Sequence, residues 1–145
     1  MPTLSTRFVR EWREFVLPSG IRVFRPILPI LVRGHEKLVE RDFLVDSGAD
    51  LSMAPRELCA QLGLRWQDGG RTTLRGISSR QSSVVQGRIH EVDILIPDAN
   101  MLVRLPMVFT RGSAPFVLGR EGFFDVFNVT FEKVNHRTVF QLVEG

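Results

Sequence analysis

The chain has little that would staple, anchor or strongly charge it. Cys59 is its only cysteine, so an intrachain disulfide is excluded. A lone thiol fits a reducing, cytoplasmic setting. No apolar run approaches the ~20 residues that cross a bilayer. Met1 to Phe15 carries charges every few residues, so neither a secretory leader nor a membrane anchor is expected. No basic block is present: Arg7, Arg10, Arg13, Arg22, Arg25 and Arg33 are scattered among acids, and the formal net charge is only +3. Nucleic acid is therefore not an expected partner. His35, His90 and His136 have no compact metal-binding spacing, so they read as exposed loop or strand residues, with no metal and no cofactor. No Gly-x-Ser-x-Gly elbow supports a serine triad. Repeats and low-complexity segments are also missing.

What remains is an ordinary globular composition, 43% hydrophobic and 24% charged over 145 residues. That is enough chain for one domain with a real core. Phe8, Trp12 and Phe15 sit at helical spacing, but Trp12 to Leu17 also reads as extended. Pro18-Ser19-Gly20 marks a turn. Ile27 to Val32 reads as a strand that Pro26 and Pro29 place at an edge or a bulge. Gly34-His35-Glu36 turns it into Lys37 to Val45, whose apolar end, Phe43-Leu44-Val45, suggests burial on both faces. Ala54 to Gly63 has the marks of a short helix: Pro55 at the first helical position, Leu58 and Leu62 on one face, Gly63 as a left-handed cap. Cys59 there reads as a small buried hydrophobe. Short strands follow at 84–85, 89–96, 101–109, 125–131 and 138–143, with an apolar run at Phe116 to Gly119. The class is all-β, with one or two short helices.

Asp46-Ser47-Gly48-Ala49-Asp50 directly follows the apolar strand. Asp-Ser-Gly alone is good turn chemistry. A carboxylate at the end of a buried strand is also a way to present one acid to a water molecule.

The context resembles the retropepsins, the retroviral-type aspartic proteases. Phe43-Leu44-Val45-Asp46-Ser47-Gly48-Ala49-Asp50 is similar to their catalytic loop. Leu62-Gly63-Leu64 follows, and then Val117-Leu118-Gly119-Arg120-Glu121 with Gly122-Phe123-Phe124. Leu74 to Ser79 falls where the family has a flap. The resemblance spans roughly Ile27 to Glu132. Glu121 stands where the family has Asp or Asn. The chain has no tyrosine, so it cannot carry the flap tyrosine of the two-lobed pepsins.

The resemblance implies a small closed β-barrel of the acid-protease type over residues 26–145, preceded by an N-terminal extension, 1–25, of uncertain structure. It implies Asp46, Ser47 and Gly48 as the catalytic loop. Ala49 and the flap residues Gly76, Ile77 and Ser78 would meet a peptide or protein substrate. Asp50 and Arg120 would form a structural ion pair, costly to break if buried. The chemistry needs two carboxylates that share a proton, and the motif occurs once. A homodimer would supply the second Asp46. The extra residues at both ends suggest a dimer interface built differently from that of the retroviral enzymes. The alternative is a retropepsin fold kept as a weak or inactive peptide-binding or dimerisation module.

Overall fold

The computed structural model describes residues 6–75 and 84–143. In chain order the strands are β1 (Arg7–Glu11), β2 (Arg13–Val16), β3 (Arg22–Arg25), β4 (Ile27–Arg33), β5 (Leu38–Val45) and β6 (Ser52–Pro55). After helix α1 (Arg56–Gln61) come β7 (Gly70–Arg75), β8 (Val84–Ile96), β9 (Met101–Thr110), β10 (Val117–Leu118), β11 (Phe127–Glu132) and β12 (Arg137–Leu142). One 3-10 turn covers Trp66–Asp68, and a broken helical segment covers Arg120–Phe124. The main sheet runs β4-β5-β10-β6-β9-β8-β7. β4 also pairs with β8, Leu31 to Arg33 against Leu95 to Asp93. That pairing closes six strands into a barrel and leaves β7 as the outer arm of the β7–β8 hairpin.

The core follows from period-two patterning. Leu28, Ile30 and Val32 alternate inward on β4, and Phe43 and Val45 do so on β5. Leu44 between them is only half-buried, so the end of β5 is not covered on both faces. Its alternation is that of a barrel wall with one inner face. Ile94, Ile96, Leu105, Met107 and Phe109 line the opposite wall, and Leu58 and Cys59 of α1, with Leu62 at its C-cap, plug one end.

Pro29 and Pro106, the prolines inside strands β4 and β9, sit where only one neighbour exists. Pro29 faces Asp42 of β5, and the pairing of β4 with β8 begins later, at Leu31. Pro106 faces Glu91, and the pairing of β9 with β6 begins at Met107. A residue without an N–H is tolerated beside an open flank. β4 is therefore an edge over Ile27 to Ile30, which includes Pro29, and not along its whole length.

Helix α1 starts one residue later than expected, with Pro55 as its extended N-cap (φ −69°, ψ 152°). Its end is a Schellman motif: Leu64 N–H donates to the Cys59 carbonyl (3.1 Å) and Gly63 N–H to the Ala60 carbonyl (3.0 Å). Gly63, at φ +73°, takes the left-handed position that motif requires.

The N-terminal residues are extended, and β1 joins a second sheet, β1-β12-β11. Phe8 stacks on Phe140 (centroids 4.5 Å apart) and meets Phe127 edge-on. Trp12 donates its indole N–H to Thr138 Oγ1 (2.7 Å). β2 and β3 form a separate hairpin closed by the Leu17–Gly20 turn.

Candidate active site

Two distant segments meet at one end of the barrel. β10 pairs in parallel with β5, Val117 beside Leu44 and Leu118 beside Val45. Parallel strands in register deliver their next residues to the same side, so Asp46 and Gly119 emerge together. β10 also pairs with β6, through Val117 and Met53. The loop from Asp46 to Leu51 therefore crosses the end of β10 to reach β6.

Main-chain bonds fasten this crossing. Asp46 N–H donates to the Leu118 carbonyl (3.0 Å), Arg120 N–H to the Ala49 carbonyl (2.9 Å), and Glu121 N–H to the Asp50 carbonyl (2.9 Å). Gly119 N–H donates to the hydroxyl of Ser52 (3.0 Å), which is fully buried. A Cβ on Gly119 would lie 2.5 Å from the Leu51 main chain, so the two segments touch only because that side chain is missing.

The loop also holds its own acid. Gly48 N–H donates to Asp46 Oδ1 (2.8 Å), and Ala49 N–H to the Asp46 carbonyl (3.3 Å). One carboxylate oxygen is fixed by a main-chain donor, and the side chain is half-buried rather than sealed. Ser47 and Gly48 are exposed, and Ala49 is half-buried beside them. A Cβ on Gly48 would sit 3.2 Å from Asp46 Oδ1, which would crowd the oxygen that the loop orients.

Asp50 and Arg120 form an ion pair through Oδ1 and a terminal guanidinium nitrogen. It lies at the surface, with the two side chains 84% and 53% exposed. The large cost expected for a buried pair does not apply to the single chain, where such contacts contribute about 0–1 kcal/mol. The neighbouring main-chain bonds, not this pair, tie the two segments together.

β7 and β8 form an antiparallel pair running from Gly70–Ile89 to Arg75–Val84. Gly76, Ile77 and Ser78 lie outside the described residues.

His90 departs from the expected exposed histidine. It is buried in β8, its ring edge-on to Phe109 and its Nε2 3.9 Å from Cys59 Sγ. Burial pushes its pKa below the ordinary 6.5, against a backbone hydrogen bond with Trp66. Burial pushes the Cys59 thiol up, so the pair is neutral and belongs to the core. Among the described residues no group of three or more His, Cys, Asp or Glu side chains could hold a metal ion. No helix of the described residues is long and apolar enough to cross a membrane.

Ser52 and β6 were not foreseen from the sequence. β6 is four residues long and ends in proline, so it carries no strand periodicity of its own. The available signal was one hydroxyl between Leu51 and Met53, a polar group on an apolar segment.

A closed barrel with β10 inserted between β5 and β6, and an Asp-Ser-Gly loop at their shared end, is a retropepsin-like fold. It superposes on the crystal structure of a retropepsin-like aspartic protease from Rickettsia conorii with a TM-score of 0.64, at 14% identity, over 92% of this chain and 98% of that one. The EIAV protease complexed with the inhibitor HBY-793 is also similar, with a TM-score of 0.46, 22% identity, and coverage of 66% of this chain and 82% of that one. The sequence matches no protein-family model and no curated protein.

Proposed function

We propose that the protein is an aspartic endopeptidase whose active site forms when the Asp46 loops of two copies meet. The observation that carries this reading is the Asp46 loop itself: a carboxylate held through Oδ1 by Gly48 N–H, on an exposed loop, tied by main-chain bonds to β10 and the residues after it. Asp50, the next acid along the loop, pairs with Arg120 at the surface, whereas Asp46 makes no salt bridge among the described residues.

Two Asp46 carboxylates across a twofold axis would share one proton and titrate as a pair. A water between them loses a proton to the ionised carboxylate as its oxygen attacks the scissile carbonyl carbon. The protonated carboxyl donates to the carbonyl oxygen. The tetrahedral intermediate then collapses, the C–N bond breaks, and the amine leaves with a proton returned by the dyad. Ser47 would steady the paired loops. Ala49 and the hairpin carrying Gly76, Ile77 and Ser78 would bind the peptide and exclude water. No cofactor is required.

The test is cleavage of a peptide library across pH by wild type and Asp46→Asn, with sedimentation in parallel. Loss of cleavage in the variant, with its dimer retained, is the expected result. Equal cleavage by both, or cleavage by a strict monomer, would sink the dyad. Peptide binding without cleavage by wild type would identify a binding module instead.

A further inference from the structure

β1 is the end strand of its sheet. β12 lies on one side, and among the described residues nothing pairs with the other. Two hydrogen bonds fix which residues face that open side: Trp12 N–H to the His136 carbonyl, and Leu142 N–H to the Thr6 carbonyl. Bonded pairs alternate along an antiparallel ladder. Thr6, Phe8, Arg10 and Trp12 therefore direct their main-chain groups at the β12 hairpin, and Arg7, Val9 and Glu11 direct theirs outward. The same three carry the exposed side chains of the strand, and Val9 is 40% exposed. Beside the strand runs an open groove of about 450 Å³, walled by Val9, Arg10, Glu11, Trp12, Arg13 and Ile27.

We propose that this edge pairs with β1 of a second copy, antiparallel, about a twofold axis through Val9. In that register Val9 meets the partner's Val9, Arg7 meets the partner's Glu11, and Glu11 meets the partner's Arg7. Each of the three residues that point outward exchanges main-chain bonds with its opposite. The two exposed valines cover one another, flanked on each side by an opposite-charge cross-strand pair. Neither Arg7 nor Glu11 makes a salt bridge within the chain among the described residues. Charges on an edge strand ordinarily repel another strand. Here they are of opposite sign and equidistant from an exposed valine, which makes the edge complementary to its own twofold image. The product is a continuous six-stranded sheet, β11-β12-β1 joined to its copy. This names the surface of the proposed homodimer and rests on that reading for its link to catalysis. The pairing itself stands on the edge geometry.

The test uses charge exchange on the full chain, read by sedimentation equilibrium. Arg7→Glu alone sets acids opposite acids, and Glu11→Arg alone sets arginines opposite arginines. Each should raise the dimer Kd roughly tenfold or more, two altered pairs being affected at once. Mixing the two single variants should form a heterodimer near the wild-type Kd, and the double variant should recover it. Circular dichroism confirms that each variant is folded. A monomeric wild type, single variants with unchanged Kd, or a mixture that fails to recover would each overturn the pairing. Cleavage assays separate the two readings. If only wild type and not Asp46→Asn cleaves, yet the charge variants dimerise normally, the pairing fails and the dyad stands. If wild type and Asp46→Asn cleave equally while Kd follows charge, the dyad fails and the pairing stands.

Discussion

The amide of Asp46 donates to the carbonyl of Leu118 at 3.0 Å. This bond joins the two motifs, Asp46-Ser47-Gly48 and Val117-Leu118-Gly119-Arg120, that lie far apart in the chain. It continues the parallel pairing of β5 and β10 by one more residue. The acid is thus positioned by the barrel wall rather than by its own loop alone. Perturbing the β10 side should therefore disturb the site without touching the carboxylate.

Ser52→Ala is the most direct such perturbation. It leaves the buried Gly119 N–H without its acceptor, at a cost of about 1–3 kcal/mol. Urea unfolding should show the loss at unchanged m-value. An unchanged midpoint would mean that Gly119 finds another acceptor.

Arg120→Lys should separate two roles of one residue. The pair with Asp50 is exposed in the single chain, and the main-chain bonds of Arg120 and Glu121 survive the change. Unfolding stability of the monomer should shift by less than about 1 kcal/mol. If the proposed dimer covers this pair, its Kd should rise, because lysine cannot reproduce the planar guanidinium. A Kd equal to wild type would place this ion pair outside the interface.

His90 sets a pH dependence. Its pKa is lowered by burial, so the unfolded chain binds a proton that the native state refuses. Stability from this group is full above the unfolded value of 6.5 and is lost as pH falls from there toward the folded pKa. Asp68 pulls the folded value up and Arg88 pushes it down, both by less than burial does. His90→Gln should flatten the stability difference between pH 7.5 and a pH just below 6, measured by chemical unfolding. Equal slopes for wild type and variant would show that other groups carry the dependence.

Several features were legible because their causes are local. Pro18-Ser19-Gly20 and Gly34-His35-Glu36 turn the chain where expected, since turn residues act over a few positions. Gly63 caps α1 for the same reason. The strand prolines were legible as restrictions, but not as places: nothing local to Pro29 says that β8 joins β4 only from Leu31 onward. Leu44 looked buried because hydrophobicity is read per residue, whereas burial depends on what lies opposite. His90 looked ordinary because the residues that enclose it, Cys59, Trp66, Gly69 and Phe109, come from other elements.

The sequence by itself determined the β class, the Asp46 loop and its single copy, because strand periodicity and a short motif are properties of contiguous residues. The tertiary structure alone decided that β10 enters between β5 and β6, and that Ser52 anchors Gly119. It alone decided that the Asp50–Arg120 pair lies at the surface and that β1 presents an open edge. Each of those depends on which distant segments share a hydrogen-bond ladder, and long-range pairing is set by how the whole chain buries its apolar faces at once.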